Sequence, residues 1–341
     1  MRTFRHSGSY YDMGYKLGQQ LKNLFNVPPC PPEKLKLSNK CRNFVKQYTP
    51  DLLEEIKGFC DAGNYDQEKM EAFLFVLGYE LFVPLGVGCT VFTIGSELTE
   101  SGLPIFARNN DFNELFQPYC EASYRAPLGK LKSIAFSDHM IGSLGGINEA
   151  GLAFAVLLAG NFDKKWQPGV RINLSTRWIL ENCHNTEEAV KFLEKIPHVR
   201  GQVLMIMDKD DNMARVETLP PHVAVTYAEK DYLFTTNHYQ AESLKKYYDQ
   251  NIKLPNSLER FNKTKTFLET RNKKFSLNDV KGFLSSHDNG VCHHYKWDGI
   301  NEITIYSWLA NVREERDSLQ AWVTTGSPCK NEYELYNFNF Q

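Results

Sequence analysis

A cysteine directly behind a glycine, Gly88-Cys89-Thr90, stands between the apolar run Phe73 to Leu85 and the β-branched stretch Val91 to Ile94. If the chain were cut at Gly88-Cys89, one residue would carry both a thiol and an α-amine. An α-amine titrates at roughly 7.7 to 8.0, so it can take the thiol proton near neutrality. The same two residues equally describe a small buried thiol behind a turn glycine. The residues that separate these readings lie downstream. Arg108-Asn109-Asn110-Asp111 closes a hairpin that begins at Cys89, so Arg108 or Asp111 returns close to the cysteine. A guanidinium there favours thiolate, and a carboxylate can orient the α-amine or a substrate group. At Thr235-Thr236-Asn237-His238 a strand ends in an amide side chain, a suitable donor to a developing oxyanion. His238 invites a Cys-His dyad, which a terminal cysteine does not need. Taken singly, Arg-x-x-Asp is commonly a surface ion pair and a strand-end Asn a turn residue.

The elements that must carry these residues change character at Cys89. Residues 9 to 82 read as mostly helical: Tyr10, Met13, Leu17, Leu21 and Leu24 recur at steps of three and four, as do Leu52, Leu53, Ile56 and Phe59. Pro28-Pro29-Cys30-Pro31-Pro32 interrupts them, and further helices are expected over Pro50 to Ala62 and Gln67 to Phe82. After Cys89, short apolar runs separated by turn residues predict strands. Thr90 to Ile94 pairs with Pro104 to Ala107 through Glu100-Ser101-Gly102, followed by Ser133 to Phe136, Ile141 to Leu144 and Leu152 to Leu158. Helices are expected over Asn173 to Cys183 and from a Thr186 cap to Ile196, strands from Val203 to Thr235, helices at Leu258 to Thr270 and Leu277 to Ser285, and a last strand pair at Glu302 to Leu309 with Gln320 to Thr324. This order suggests layered α+β packing.

The 341 residues are 42% hydrophobic, enough for a large core, and the 39 basic and 41 acidic side chains are interspersed, with a formal charge of −2. Nucleic acid is not an expected partner. Met1 to Tyr11 lacks the apolar core of a secretory signal and no stretch approaches a membrane-spanning length, so a soluble, cytoplasmic protein is the expectation. The eight cysteines are scattered and read as mostly reduced, and the sequons at Asn173 and Asn262 read as chance matches. No metal site is expected: there is no paired CxxC, and Cys292-His293-His294 lacks a second cluster at finger-like spacing. Neither GxGxxG nor a Walker motif occurs, so no cofactor is expected.

Gly88-Cys89-Thr90, Arg108-Asn109-Asn110-Asp111-Phe112, Gly146-Ile147-Asn148-Glu149-Ala150-Gly151-Leu152 and Thr236-Asn237-His238, taken in that order, resemble the penicillin acyltransferase family of N-terminal-nucleophile (Ntn) hydrolases, which is similar in catalytic layout to the choloylglycine hydrolases and acid ceramidase. Gly8 to Gly14 and Thr325 to Cys329 extend the resemblance to nearly the whole chain. It implies a four-layer αββα sandwich in which Cys89 becomes the first residue of the mature subunit after autoproteolysis of the Gly88-Cys89 bond. Residues 1 to 88 would form a helical propeptide or small subunit and residues 89 to 341 the catalytic domain. It places Arg108 and Asp111 against the nucleophile, puts the strand-end amide on Asn237, makes Arg260 the candidate downstream arginine, and leaves Asn161 as a second oxyanion candidate. Asn148 and Glu149 are expected to hold a turn.

The chemistry so implied is attack of the Cys89 thiol on the Gly88 carbonyl, then, in the cut enzyme, on the amide of a small N-acyl substrate through an acyl-thioester. Water as acceptor gives an amidohydrolase and an amine gives an acyltransferase using an amide or acyl-CoA donor; a catalytically silent binding or scaffold protein is the third alternative. The expected partners are the N-acyl substrate and the chain's own N-terminal fragment, with a homo-oligomer left open. Phe112, Phe116, Tyr119 and Trp166 read either as a hydrophobic acyl pocket or as core.

Overall fold

The structure, a computed structural model, describes residues 1–22, 26–78, 88–137, 141–159, 166–247, 257–297, 299–314 and 317–339. The chain opens with a strand, β1 (Arg2–Gly8), and then forms α1 (Tyr10–Leu21), α2 (Pro32–Tyr48), α3 (Asp51–Gly63) and α4 (Gln67–Ala72), the last running into a π-turn (Phe73–Leu77). Strands follow: β2 (Gly88–Ile94), β3 (Ile105–Asn113), β4 (Glu121–Pro127), β5 (Ser133–Ser137), β6 (Gly145–Asn148) and β7 (Leu152–Leu158). Helices α5 (Ile172–Asn182) and α6 (Thr186–Lys195) lead to β8 (Gln202–Asp208), β9 (Met213–Leu219), β10 (His222–Tyr227) and β11 (Tyr232–Thr235). The chain ends with α7 (Glu242–Lys245), α8 (Ser257–Glu269), α9 (Leu277–Ser285), β12 (His294–Trp297), β13 (Ile300–Asn311), β14 (Ser318–Val323) and β15 (Glu334–Asn339).

The strands make two sheets, ordered β1-β4-β5-β6-β7-β8-β9-β10 and β11-β2-β3-β13-β14-β15, with β12 on β13. Their facing sides interdigitate around Trp308, which stacks on Phe106 of its own sheet and Phe136 of the other at ring-centroid distances of 5.1 and 4.8 Å. On the far side of the second sheet, Phe92, Ile94, Ile105, Ala107 and Leu309 pack under Leu268 of α8 and Phe283 and Leu284 of α9. Helices α5 and α6 cover the first sheet. The result is the four-layer αββα sandwich. Because side chains alternate along a strand, Cys89 and Val91 face the layer between the sheets while Gly88, Thr90 and Phe92 face the helices.

The described residues of the first 88 are built into this body. β1 pairs in parallel with β4, from Arg2 beside Glu121 to Gly8 beside Pro127. Helices α1 and α3 approach closely enough that a Cβ on Gly14 would fall 1.9 Å from the Glu55 carbonyl oxygen and one on Gly58 2.1 Å from that of Tyr11, so only glycine fits. Arg171, just before α5, donates to the Phe73 and Leu74 carbonyls at 3.2 Å each, beside the π-turn.

Several expectations shift in detail. The strand expected over Ile141 to Leu144 instead covers Gly145 to Asn148, because the glycine pair lets neighbouring strands close in: a Cβ on Gly146 would lie 2.1 Å from the Ile134 carbonyl oxygen. Asn185, not Thr186, caps α6, accepting from the Glu188 N–H at 3.0 Å. The expected helix over Gln67 to Phe82 gives way to the π-turn at Phe73, and its end lies outside the described residues. β1, β4, β12 and β15 lie outside the expected strands, although β4 alternates polar and apolar residues along Glu121–Pro127.

Candidate active site

β2 and β3 pair antiparallel in a register that sets Gly88 beside Asp111, Cys89 beside Asn110, Thr90 beside Asn109 and Val91 beside Arg108. β3 does not stop at Ala107 but continues to Asn113, so Arg108 to Asp111 lie within the strand, all buried, rather than in a turn that closes it. Alternation then divides them between the two faces. Cys89, Arg108 and Asn110 meet on the inter-sheet face: the Cys89 Sγ is 3.4 Å from Asn110 Oδ1 and 3.7 Å from Arg108 Nη2, and Arg108 Nη2 donates to Asn110 Oδ1 at 2.6 Å. A further guanidinium nitrogen of Arg108 reaches across to the Leu144 carbonyl and ties the thiol to the opposite sheet.

Asp111 and Arg260 occupy the helix-covered face. Asp111 is fully buried and accepts the Thr304 hydroxyl at 2.6 Å on Oδ1. Its Oδ2 has no hydrogen-bond donor among the described residues and has Arg260 Nε 3.9 Å away. Arg260, in the first turn of α8 and 3% exposed, is no surface arginine: it donates to the Cys89 carbonyl, to Thr90 Oγ1 at 2.9 Å and to Asn237 Oδ1 at 3.0 Å. Gly88 fits between the two charges only because it lacks a side chain, since a Cβ there would meet Asp111 Oδ2 at 2.9 Å and Arg260 Nη2 at 3.2 Å.

Asn237 follows β11, which pairs with β2 from Tyr232 beside Ile94 to Thr235 beside Val91 and so delivers the amide to the start of β2. Its orientation is fixed by its partners: Oδ1 accepts from the Cys89 N–H at 2.7 Å and from Arg260, and Nδ2 donates to the Leu158 carbonyl at 2.9 Å. With the Gly88-Cys89 bond intact, that Cys89 nitrogen is an amide. It stands where the α-amine of a cut chain would be. One of the two Asn237 amide protons is thus engaged by the Leu158 carbonyl.

Burial pushes the Cys89 thiol up from its ordinary pKa; Arg108 and, more weakly, Arg260 pull it back, and Asp111 adds to the rise. His238 points to the Thr236 and Ser257 hydroxyls, at 3.1 and 2.9 Å, and packs against Phe261. Burial, with Arg260, Arg215 and Lys245, lowers it to about 4, so it is neutral near pH 7. Asn161 lies outside the described residues. Asn148 holds its turn, donating to the Leu180 and Cys183 carbonyls and accepting from the Ala150 and Leu152 N–H groups, while Glu149 accepts from Lys132 N–H.

Of the four aromatic residues, Phe112 continues the Arg108-Asn110 face and packs edge-on against Phe116 at 4.8 Å. Trp166 instead lies among the cations Lys34, Arg171 and Arg200. Sequence reasoning did not single out Asn110 and Thr304. Asn110 could have been found by carrying the Cys89 register across the hairpin; Thr304, from β13, gives no signal before β13 is paired with β3.

The family model for acyl-coenzyme A:6-aminopenicillanic acid acyl-transferase matches residues 98–316, well over half of the chain. Arg108, Asp111, Asn237 and Arg260 fall inside the matched span, and Gly88 and Cys89 precede it. No curated protein matches. Among solved structures, a variant of conjugated bile acid hydrolase from Clostridium perfringens is similar at 14% identity and a TM-score of 0.48, over 74% of this chain and 92% of that one. Penicillin V acylase from Agrobacterium tumefaciens is similar at 18% identity and a TM-score of 0.48, over 74% and 86%. The Caenorhabditis elegans ortholog of N-acylethanolamine-hydrolyzing acid amidase is similar at 16% identity and a TM-score of 0.44, over 65% and 92%. None of the helices in the described residues is long and apolar enough to cross a membrane.

Proposed function

Since this chain belongs to the acyl-coenzyme A:6-aminopenicillanic acid acyl-transferase family of Ntn hydrolases, we propose that it cuts itself before Cys89 and then uses that residue to open the amide bond of a small N-acyl compound. The observation that carries the reading is that every backbone group at the cysteine has its own partner: nitrogen on Asn237, carbonyl on Arg260, and Gly88 wedged beside Asp111. A merely structural buried thiol needs none of these.

In the precursor the thiol adds to the Gly88 carbonyl, the C–N bond breaks as the Cys89 nitrogen takes up a proton, and water hydrolyses the resulting thioester. The products are a Gly88 carboxylate and a Cys89 α-amine. That amine, held by Asn237 Oδ1 and within the field of Asp111, takes the thiol proton as sulfur attacks the substrate amide. Arg108 offsets the burial that otherwise keeps the thiol protonated. The remaining Asn237 amide proton stabilises the oxyanion, and the α-ammonium returns its proton to the departing amine. The acyl group then lies on the inter-sheet face towards Phe112 and Phe116. Water releases it as an acid; an amine acceptor would take it as a new amide, the reading the family's description favours.

The N-terminal fragment stays bound after the cut, because β1 is a strand of the first sheet and Glu55 is ion-paired to Arg125 and Arg177 of the catalytic part. Intact-mass measurement of freshly purified protein should give two fragments divided at Gly88/Cys89 that co-elute in gel filtration, while Cys89→Ala stays whole at 39.3 kDa. An electrophilic acyl probe should label Cys89 in the larger fragment. A wild-type chain that remains whole and unlabelled sinks the proposal. Turnover of N-acyl amino acids, N-acyl amines and acyl-CoA with and without an amine acceptor separates hydrolysis from transfer.

A further inference from the structure

The segment from the end of α9 into β12 and the turn between β14 and β15 bring together four soft-donor side chains that the proposed acyl chemistry does not use. His287 and Cys292 come from the loop after α9, His294 opens β12, and Cys329 comes from the turn; one ligand atom from each lies within 4.8 Å of all the others. His294 Nε2 lies 3.2 Å from Cys329 Sγ. Neither Cys292 nor Cys329 is in a disulfide. We propose that these four residues form a tetrahedral Cys2His2 site for a zinc ion.

Zinc bonds of about 2.3 Å to sulfur and about 2.0 to 2.1 Å to nitrogen give ligand tetrahedra with edges of about 3.3 to 3.8 Å. The widest separation here therefore has to close by only about 1 Å, which side-chain rotation supplies. The tautomer of His287 is already set. Its Nδ1 is 3.1 Å from the Cys292 carbonyl, which can only accept, so Nδ1 carries the proton and Nε2 carries the lone pair for a metal. A backbone carbonyl behind a ligand imidazole is the support that metal sites use to orient the ring.

The backbone on both sides is also tied down. Val291 and Cys292 N–H groups donate back to Phe283 and Ser286, and Gly290 sits where a Cβ would be 2.1 Å from the Phe283 carbonyl oxygen. In the turn, Lys330 and Asn331 N–H groups both donate to the Ser327 carbonyl. Two thiols and two imidazoles suit zinc and disfavour magnesium or calcium, and four protein ligands leave no position for substrate, so the ion is structural. Binding would release the two thiol protons to solvent and give a neutral centre. Its mechanical consequence reaches the candidate active site through His293, whose N–H donates to Thr304 Oγ1 at 2.9 Å and whose carbonyl accepts from Thr304 N–H, because Thr304 in turn holds Asp111.

The test is reconstitution of the full chain, reduced and stripped by chelator, with Zn2+ and separately with Co2+. The expected result is one metal per chain, a cobalt spectrum with strong tetrahedral d–d bands and thiolate-to-cobalt charge transfer, and a higher Tm for the zinc form than for the stripped one. Cys329→Ser should weaken the thiolate-to-cobalt charge transfer and His294→Gln should alter the d–d bands, and each should weaken Zn2+ binding by more than the about 10- to 100-fold typical of removing a supporting group, while keeping the wild-type circular dichroism. Cys30→Ser, a half-buried thiol elsewhere, should change nothing. No metal uptake by the reduced wild type, an unaltered cobalt spectrum in Cys329→Ser, or a Cys292–Cys329 disulfide that forms under thiol reductant in place of metal binding would each overturn the proposal.

Discussion

Two regions of the molecule bury arginines against carboxylates, and they differ in what is left over. In the first, Glu55 receives Arg125 at 3.1 Å and Arg177 at 3.0 Å, Arg177 also pairs with Glu181, and the Tyr10 hydroxyl completes Glu181 at 2.8 Å. Each charge faces an opposite one, and the cluster joins α1 and α3 to β4 and α5. In the second, around Cys89, Arg108 serves a thiol and a carbonyl, Arg260 serves a backbone carbonyl and an amide, and Asp111 lies beside the Gly88-Cys89 linkage with Arg260 Nε 3.9 Å away. Charges paired with one another stabilise. Guanidinium groups turned to a thiol, carbonyls and an amide suit the charges that would arise in the proposed reaction.

The comparison predicts that mutations in the two regions separate stability from activity. Glu55→Gln has the largest expected effect on the fold: it leaves two buried guanidinium groups under-compensated and should cost about 3 to 5 kcal/mol in denaturant unfolding. An unfolding midpoint that does not move would show that the cluster is not the tie between the N-terminal segment and the rest. Asn237→Ala should do the reverse, lowering kcat by about 10^2- to 10^3-fold, or about 2.7 to 4 kcal/mol of barrier, with little change in unfolding. Near-normal turnover in that variant would remove Asn237 from the chemistry.

Smaller changes sharpen the same contrast. Gly88→Ala should slow self-cleavage, read as the fraction of uncut chain over time, because its methyl must displace Asp111 or Arg260; unchanged cleavage would mean that the close packing there is incidental. A pH slope tests the first region. Burial, then Arg125, Arg177 and Lys16, lower His6 from 6.5 to about 2. The unfolded chain therefore gains a proton as pH falls through 6.5 and the folded chain does not. Stability present above pH 6.5 is lost on acidification towards pH 2 by about 1.4 kcal/mol per pH unit from this residue alone. His6→Leu should flatten the dependence of unfolding free energy on pH between 6.5 and 4; identical slopes would place His6 outside the cluster's field.

Much of this protein is legible in its residues. Hydrophobic periodicity marks α1 and α3, punctuation and β-branched runs mark β2 and β7, and α9 spans the expected Leu277 to Ser285, where Ser276 and Asp279 form a capping box. Cys89, Arg108, Asp111 and Asn237 could be named together because each residue type has a chemical reason to attend a terminal cysteine, and Arg260 could be named only through the family resemblance. Those statements depend on local composition and order, which sequence contains directly.

What the tertiary structure alone decided depends on pairing across long separations. Strand alternation put the thiol and Asp111 on opposite faces of one sheet, a division that Arg-x-x-Asp read as a motif does not reveal. The direction of the Asn237 amide followed from the Leu158 carbonyl and Arg260, both remote in sequence. Glu55 acquired its partners, and Cys329 its place beside His287, Cys292 and His294, only when elements far apart in the chain were packed together. A sequence specifies which groups are present and in what order; a distance of a few ångström between groups a hundred or more residues apart is set by register and packing, where a one-residue slip reverses every side chain.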